Sequence, residues 1–296
     1  MKDKKYYKLY LASHGWYNYL SDKEFLQMVY PLIMKKSLDL ENPKIFNEKL
    51  QWLKLFDRRP EYTMMVDKYK VREYIAQNFG EQYLIPLLGV WDSPVEIDFD
   101  ALPEQFVLKC NHNSGLGMYI CKDKTKLNVD KVRKGLWKGL KEDYYLKGRE
   151  WPYKDVPRKI ICEKYMIDQD EADLIDYKIH CFNGIPQFIL VCSKRFSKEG
   201  LHEDFYTTNW EKMAVKRPNV PITTGIKKPQ NLNEMLEISK KIAYNYPFMR
   251  IDFYEINGKL YFGEITFYPA SGWSKFEPEE YDTIFGNMLT LPKITQ

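Results

Sequence analysis

The sequence predicts an α+β protein in which a mainly helical N-terminal region precedes two antiparallel-sheet subdomains. Three observations carry this. Apolar residues recur at helical spacing through residues 24–34 and 48–56. Asn183-Gly184 and Asn257-Gly258 each join two strand-like runs, the strongest short hairpin signal a sequence offers. A small-residue stretch, residues 110–117, separates the strand Phe106-Val107-Leu108-Lys109 from a second strand at 118–122. These features mark a helical region, 1–66, followed by chain rich in strands and hairpins.

Composition narrows the function classes. The 296 residues suffice for one large or a few small domains with real cores, and 44% hydrophobic with 29% charged residues describes a globular chain. A net charge of +4, from 45 basic against 41 acidic residues, does not call for a nucleic-acid partner. The five cysteines form no CxxC pair and lie in apolar runs, as reduced core cysteines of a cytoplasmic protein do. Residues 1–20 lack the apolar core of a signal peptide, and no apolar run approaches the ~18 residues of a membrane span. The expectation is a cytoplasmic protein without a transmembrane segment. The basic residues of 1–8 read as a solvated end, with peripheral membrane association left open.

Taken in order, Asn47 is placed to cap the helix that begins at Glu48. Residues 67–79 read as a short amphipathic helix ending at Gly80, with Lys68 and Arg72 on one solvated face. A buried strand at 83–91 and a linker at 93–104 lead to Lys109 and its loop. Ser114, Gly115 and Gly117 offer backbone N–H groups to an anion, and Lys109 adds a point charge. A glycine-rich hairpin with a snorkelling lysine fits the same residues, and the loop is not a Walker motif. A helix at 131–145 and an exposed loop at 147–157 follow. The strand at 160–166 carries Glu163, and an acidic turn, 168–173, opens the hairpin 175–192. Asp176 and Lys178 alternate onto one face there. His180 shares that parity and belongs to the core or behind a site, not to a metal. Residues 203–217, with Tyr206 and Trp210, read as a surface loop or binding lip, and 232–246 as a helix packed on the sheet.

The most informative stretch is 249–272, MRIDFYEINGKLYFGEITFYPASG. Arg250, Asp252 and Glu264 interrupt its apolar alternation. A strict two-residue Asn-Gly turn would send Asp252 and Glu264 to opposite faces. A three-residue loop, Ile256-Asn257-Gly258, would instead bring Arg250 opposite Glu264, with Asp252 diagonal to it on the same face. Two carboxylates so placed suit a hard cation such as Mg2+. An amphipathic hairpin with its charged face in water has the same pattern.

Together these segments fall in one order: strand-Lys-glycine loop, a strand ending Glu163-Lys164-Tyr165-Met166, an Asp-x-Lys hairpin, and the Arg250-Ile251-Asp252 … Glu264-Ile265-Thr266 hairpin. In that order the sequence resembles the ATP-grasp superfamily, and within it the TupA-like branch linked with teichuronopeptide and other surface-polysaccharide clusters. The runs Phe46-Asn47-Glu48-Lys49-Leu50, Asp67-Lys68-Tyr69, residues 107–112, Asp176-Tyr177-Lys178 and residues 267–272 carry the resemblance, which covers essentially the whole chain.

The resemblance implies an ATP-grasp fold whose two subdomains, 67–162 with the glycine loop and 163–296 with the metal-binding hairpin, sandwich ATP. Lys109 would contact its phosphates under the Ser114–Gly115–Gly117 loop, with Lys68 as a further nucleotide-binding lysine. Glu163 and the backbone of Lys164, Tyr165 and Met166 would form the adenine hinge, and Asp176 would meet the ribose. Asp252 and Glu264 would hold Mg2+; Thr266 stands where most relatives have asparagine, so its hydroxyl or a water would complete that set. Arg250, Arg195 and Lys178 are the cations expected at the substrate carboxylate and transferred phosphoryl group. The implied activity is a carboxylate–amine ligase using a carboxylate-bearing sugar or polysaccharide precursor and an amine or amino acid. A sugar kinase on the same machinery is the alternative. A glycosyltransferase fits less well, because no Asp-x-Asp motif is present, and retention of Lys109, Asp252 and Glu264 argues against a degenerate binding module.

Overall fold

The computed structural model describes residues 4–169 and 174–293. Most of the acidic turn expected at 168–173, and the first three residues of the basic end, lie outside the described residues. The chain runs through α1 (Lys4–Ser13), α2 (Asp22–Met34), α3 (Phe46–Phe56), α4 (Glu61–Val66), α5 (Val71–Asn78), β1 (Leu87–Trp91), β2 (Phe106–Cys110) and β3 (Tyr119–Cys121). It continues with α6 (Val129–Leu140), α7 (Tyr144–Gly148), β4 (Ile160–Lys164), β5 (Asp176–Phe182), β6 (Ile185–Ser193), β7 (His202–Thr207), α8 (Leu232–Ala243), β8 (Phe248–Ile256), β9 (Lys259–Thr266) and α9 (Tyr281–Met288). No helix among the described residues is long and apolar enough to cross a membrane.

The chain divides into two compact units, one of Met1–Arg59, Leu146–Glu150 and Gln169–Gln296, the other of Pro60–Tyr145 and Trp151–Asp168. The smaller unit holds a four-stranded antiparallel sheet in the order β1-β4-β2-β3. Phe106, Leu108, Cys110, Ile160 and Cys162 of this sheet pack against Val132, Leu136 and Leu140 of α6. α5 starts at Val71, four residues later than its sequence pattern suggests. Asp67 accepts from the backbone N–H groups of Tyr69 and Lys70 and so holds the preceding turn.

The larger unit holds a five-stranded antiparallel sheet in the order β7-β6-β5-β8-β9. Both of its Asn-Gly turns have the two left-handed residues of the hairpin turn: φ is 48° and 81° at Asn183 and Gly184, and 51° and 73° at Asn257 and Gly258. One face of the sheet packs on α8, whose Leu232, Met235 and Ile242 are buried. The other face is divided. Toward one end Phe182, Phe188 and Phe248 meet Phe46 of α3 and Phe285 of α9 in an aromatic cluster. Toward the other end lie Asp176, Lys178, Arg250, Asp252, Glu264 and Thr266. The apolar half fixes the position of the polar half.

Several local expectations need correction. Asn47 is not a cap: α3 begins at Phe46, and Glu48 folds back onto the Lys44 and Ile45 N–H groups instead. Residues 202–207 form strand β7 and bury Tyr206 rather than making a surface loop. The stretch 147–157 is not an exposed loop, because Gly148, Arg149, Glu150, Pro152 and Val156 are all buried. The run 83–91 yields only the short, half-buried edge strand β1.

Candidate functional site

On the polar half of the larger sheet, Asp252 pairs directly with Glu264 across β8 and β9, and Arg250 pairs with Thr266. The turn does have the strict two-residue form, with Ile256 facing Lys259 and Phe253 facing Phe262. The register then slips by one residue at Gly263, so a bulge in β9, not a three-residue loop, returns Glu264 to the face of Asp252. Gly263 suits the bulge: a Cβ there would lie 3.0 Å from the Asp252 carbonyl oxygen.

Charge on this face is closely compensated. Arg250 donates from Nε to Asp252 Oδ1 and from Nη2 to Asp252 Oδ2, both at 2.7 Å, and from Nη2 to Glu264 Oε1 at 3.0 Å. Lys178, opposite Asp252 on β5, bonds to Asp252 Oδ2 and lies 3.9 Å from Asp176 Oδ1. Arg195 bonds to Asp176. Asp176 faces Tyr254, whose hydroxyl donates to it; Asp176 first and then burial hold that phenol well above its usual range. Burial opposes the charges on Arg250 and Lys178, but Asp252 and the carboxylates beside it outweigh burial and raise both pKa values. His180 stacks on Phe188 at 4.3 Å, and burial first, then Arg250, push its pKa well below the ordinary histidine value.

The donor set fits a hard divalent cation: two carboxylates face each other across one ladder, with the Thr266 hydroxyl next along. Asp252 is 2% exposed and held from both sides, whereas the Glu264 side chain is 33% exposed.

In the smaller unit Lys109 Nζ lies 2.6 Å from Glu163 Oε2, and Arg72 Nη1 lies 3.2 Å from Glu163 Oε1. Arg72 also donates to the Ile85 carbonyl at 2.7 Å, and burial lowers its pKa despite Glu163. The expected solvated face of Lys68 and Arg72 is therefore wrong. Arg72 closes a Lys–Glu–Arg triad, while Lys68 Nζ donates to the Asn113 carbonyl at 2.8 Å, at the base of the glycine loop. Buried Asn111 anchors that base: its Nδ2 donates to Asp67 and to the Pro157 carbonyl, and its Oδ1 accepts from the Lys159 N–H. Ser114 and Gly115 beyond it are exposed, and Gly115 and Gly117 are left-handed, with φ 84° and 78°. The Lys164 N–H donates to the Pro86 carbonyl, and the Tyr165 ring lies 5.7 Å from Lys122 Nζ.

A third cluster, absent from the sequence reading, follows β9. Ala270, Ser271 and Gly272 are all left-handed, with φ 47°, 53° and 65°. α3 holds this turn with one polar stripe. Gln51 Nε2 donates to the Ser271 and Gly272 carbonyls, and Lys54 Nζ donates to Ser271 O, Gly148 O and Gln51 Oε1. A Cβ on Gly272 would press on Gln51 Nε2, and the left-handed φ of 65° favours glycine there. Glu150 accepts from the Ser271 hydroxyl. Burial raises the Glu150 pKa and lowers that of Lys54 to about 7. The sequence signal was available: Asn47, Gln51 and Lys54 stand at i, i+4 and i+7 on the inward stripe of α3.

Two antiparallel sheets, a glycine loop after a lysine-bearing strand and a carboxylate pair on the last hairpin define an ATP-grasp protein. The model of the TupA-like ATP-grasp family matches residues 48–290. The chain belongs to that family. No curated protein matches the sequence. Among solved structures, the D-alanine–D-alanine ligase of Bacillus anthracis complexed with ATP is 17% identical over 69% of this chain and 55% of its own, with a TM-score of 0.41. The Helicobacter pylori D-alanine–D-alanine ligase is 14% identical over 83% and 69%, with a TM-score of 0.42. The D-cycloserine synthetase DcsG is 12% identical over 77% and 70%, with a TM-score of 0.43. The chain thus spans about half the length of the B. anthracis enzyme.

Proposed function

We propose that this protein is an ATP- and Mg2+-dependent carboxylate–amine ligase working through an acyl phosphate. Its carboxylate substrate is a uronic acid or similar group of a surface-polysaccharide precursor (capsule, teichuronopeptide or O-antigen), and its second substrate is an amine or amino acid. The observation that carries this reading is the direct pairing of Asp252 with Glu264, flanked by Arg250 and Lys178, in a TupA-like ATP-grasp chain.

Asp252 and Glu264, with Thr266 or a water, would hold the metal. Bound Mg2+ would supply neutralisation of charge on the polyphosphate. Lys109, with Lys68 and the loop of Ser114, Gly115 and Gly117, would bind phosphates. Glu163 and the backbone of Lys164–Met166 would receive the adenine and Asp176 the ribose. A carboxylate is a poor electrophile, so its oxygen first attacks the γ-phosphorus, the bond from that phosphorus to the β,γ-bridging oxygen breaks, and ADP is the leaving group. Arg250, Lys178 and Arg195 hold that carboxylate and the transferred phosphoryl group in line. The amine then attacks the acyl carbon, a C–N bond forms, and phosphate leaves with the acyl oxygen. The acyl phosphate survives only where water is kept out.

The test is calorimetric titration of wild type and Lys109→Ala with ATP plus Mg2+, beside UDP-glucuronate. Micromolar-range ATP binding, weakened about tenfold or more in the variant, is expected. Binding of the UDP-sugar with none of ATP would overturn the reading in favour of glycosyl transfer. Hydroxylamine added to turnover separates ligase from kinase, because an acyl phosphate gives a hydroxamate and a sugar phosphate does not.

A further inference from the structure

The helical N-terminal segment sorts its side chains in an unusual way. Leu9, Ala12, Tyr17 and Leu20 pack against Phe25, Leu26 and Val29. Tyr7, Tyr10, Trp16 and Tyr19 face outward, with Trp16 66% and Tyr19 80% exposed. Single exposed apolar residues are ordinary on a protein surface, but four large rings in one helix and the turn that follows it are not. The charge here is mostly basic, and the exposed Glu24 that follows is spent on capping α2 through Ser21. Within residues 4–23 the basic residues are Lys4, Lys5, Lys8 and Lys23, and the single acid, Asp22, is tied to Arg58. Lys8 and Lys23 are exposed.

Tyrosine and tryptophan carry an apolar ring with a polar tip, and their preferred place is the boundary between water and hydrocarbon. Lysines beside them reach the phosphates of that boundary. We propose that this surface docks the protein on an anionic lipid bilayer, with Trp16 and Tyr19 seated at headgroup level and Lys8 and Lys23 against lipid phosphates. The attachment is peripheral: each ring sinks only partly, and the electrostatic part of the binding weakens with salt. The proposal does not depend on the ligase reading.

The test has no catalytic readout, so its failure would leave the proposed activity standing. The full chain is floated with vesicles of phosphatidylglycerol and phosphatidylethanolamine, and with vesicles of phosphatidylcholine alone. Wild type is expected to float with the anionic vesicles and not with the zwitterionic ones. Trp16→Ala/Tyr19→Ala should lower the bound fraction about tenfold or more, and Lys8→Glu/Lys23→Glu should lower it further at low salt than at high. All four positions are exposed, so unchanged thermal midpoints are expected in both variants. Absence of flotation on anionic vesicles, or flotation undiminished in the aromatic variant, would overturn the proposal. Retention on immobilised polygalacturonate that is lost in the aromatic variant, without flotation, would assign the surface to carbohydrate and also overturn it.

Discussion

Asp252 and Glu264 face each other only because Gly263 is an extra residue in β9. The Asn257-Gly258 turn alone would set the two carboxylates on opposite faces, one toward the site and one toward α8. The bulge therefore determines the chemistry available on this hairpin. Gly263→Val would press a branched Cβ against the Asp252 carbonyl, 3.0 Å away. A loss of about 1–3 kcal/mol is expected, measured as a shift in denaturant midpoint. Binding of Mn2+ with ADP, followed by electron paramagnetic resonance, should weaken beyond what the stability change explains. Unaltered metal binding in a folded variant would remove Gly263 from the account.

The two carboxylates should respond differently to neutralisation. Glu264 is partly exposed and shares one Arg250 bond, so Glu264→Gln should keep the fold and lose Mg2+-dependent turnover. Asp252 compensates both Arg250 and Lys178 at 2% exposure. Asp252→Asn leaves those cations buried with less counter-charge and should cost about 3–5 kcal/mol as well as turnover. Turnover like wild type in Glu264→Gln would sink the metal assignment.

In the smaller unit, Glu163 holds both Lys109 and Arg72. Glu163→Gln should release Lys109 from its fixed position and lower nucleotide affinity in calorimetry, with a smaller effect from Arg72→Gln. Equal affinities across wild type and both variants would show that the triad only braces the sheet.

The buried Lys54 makes three bonds to neutral acceptors and lies near Glu150. Lys54→Met should destabilise by about 3–5 kcal/mol, because it strands Gly148 O and Gln51 Oε1, takes one of two donors from Ser271 O and leaves Glu150 without its nearby cation. Glu150→Gln added to it should restore part of that loss. Additive losses in the double variant would mean the two charges are independent.

What the sequence made legible, and what it hid, follows from the range of the interactions. The Asn-Gly turns, the antiparallel pairing of 106–110 with 119–121 and the shared face of Asp176 and Lys178 are local, and period-2 alternation reveals them. The bulge at Gly263 is a single inserted residue whose effect appears only in the pairing, so residue spacing alone points to a three-residue loop. Arg72 reads as solvated because its partner, Glu163, is far along the chain and reaches it only through sheet formation. Lys54, Glu150 and Ser271 come from three separate segments, and the buried stretch 148–150 has the polarity of a loop. Tyr254 shares the face of Asp252 by alternation, but its partner Asp176 is reached only through the pairing of β5 with β8.

The last prediction concerns acidification. His180 is buried against Phe188 beside Arg250, and both burial and that cation favour its neutral form. Its folded pKa thus lies below the unfolded value of about 6.5. Above that value neither state binds the proton. Below it the unfolded chain takes up a proton that the native ring refuses, so stability falls as pH drops through about 6.5 toward the folded pKa. The slope from one such group is at most about 1.4 kcal/mol per pH unit. His112, whose pKa burial also lowers, acts in the same direction. Denaturant midpoints measured from about pH 7 to about pH 5 should therefore decline in wild type. They should decline less steeply in His180→Phe, which keeps the ring against Phe188 and removes the titration. Parallel curves for the two proteins would mean that His180 takes up its proton as readily in the fold as in the unfolded chain, which burial and its place beside Arg250 oppose.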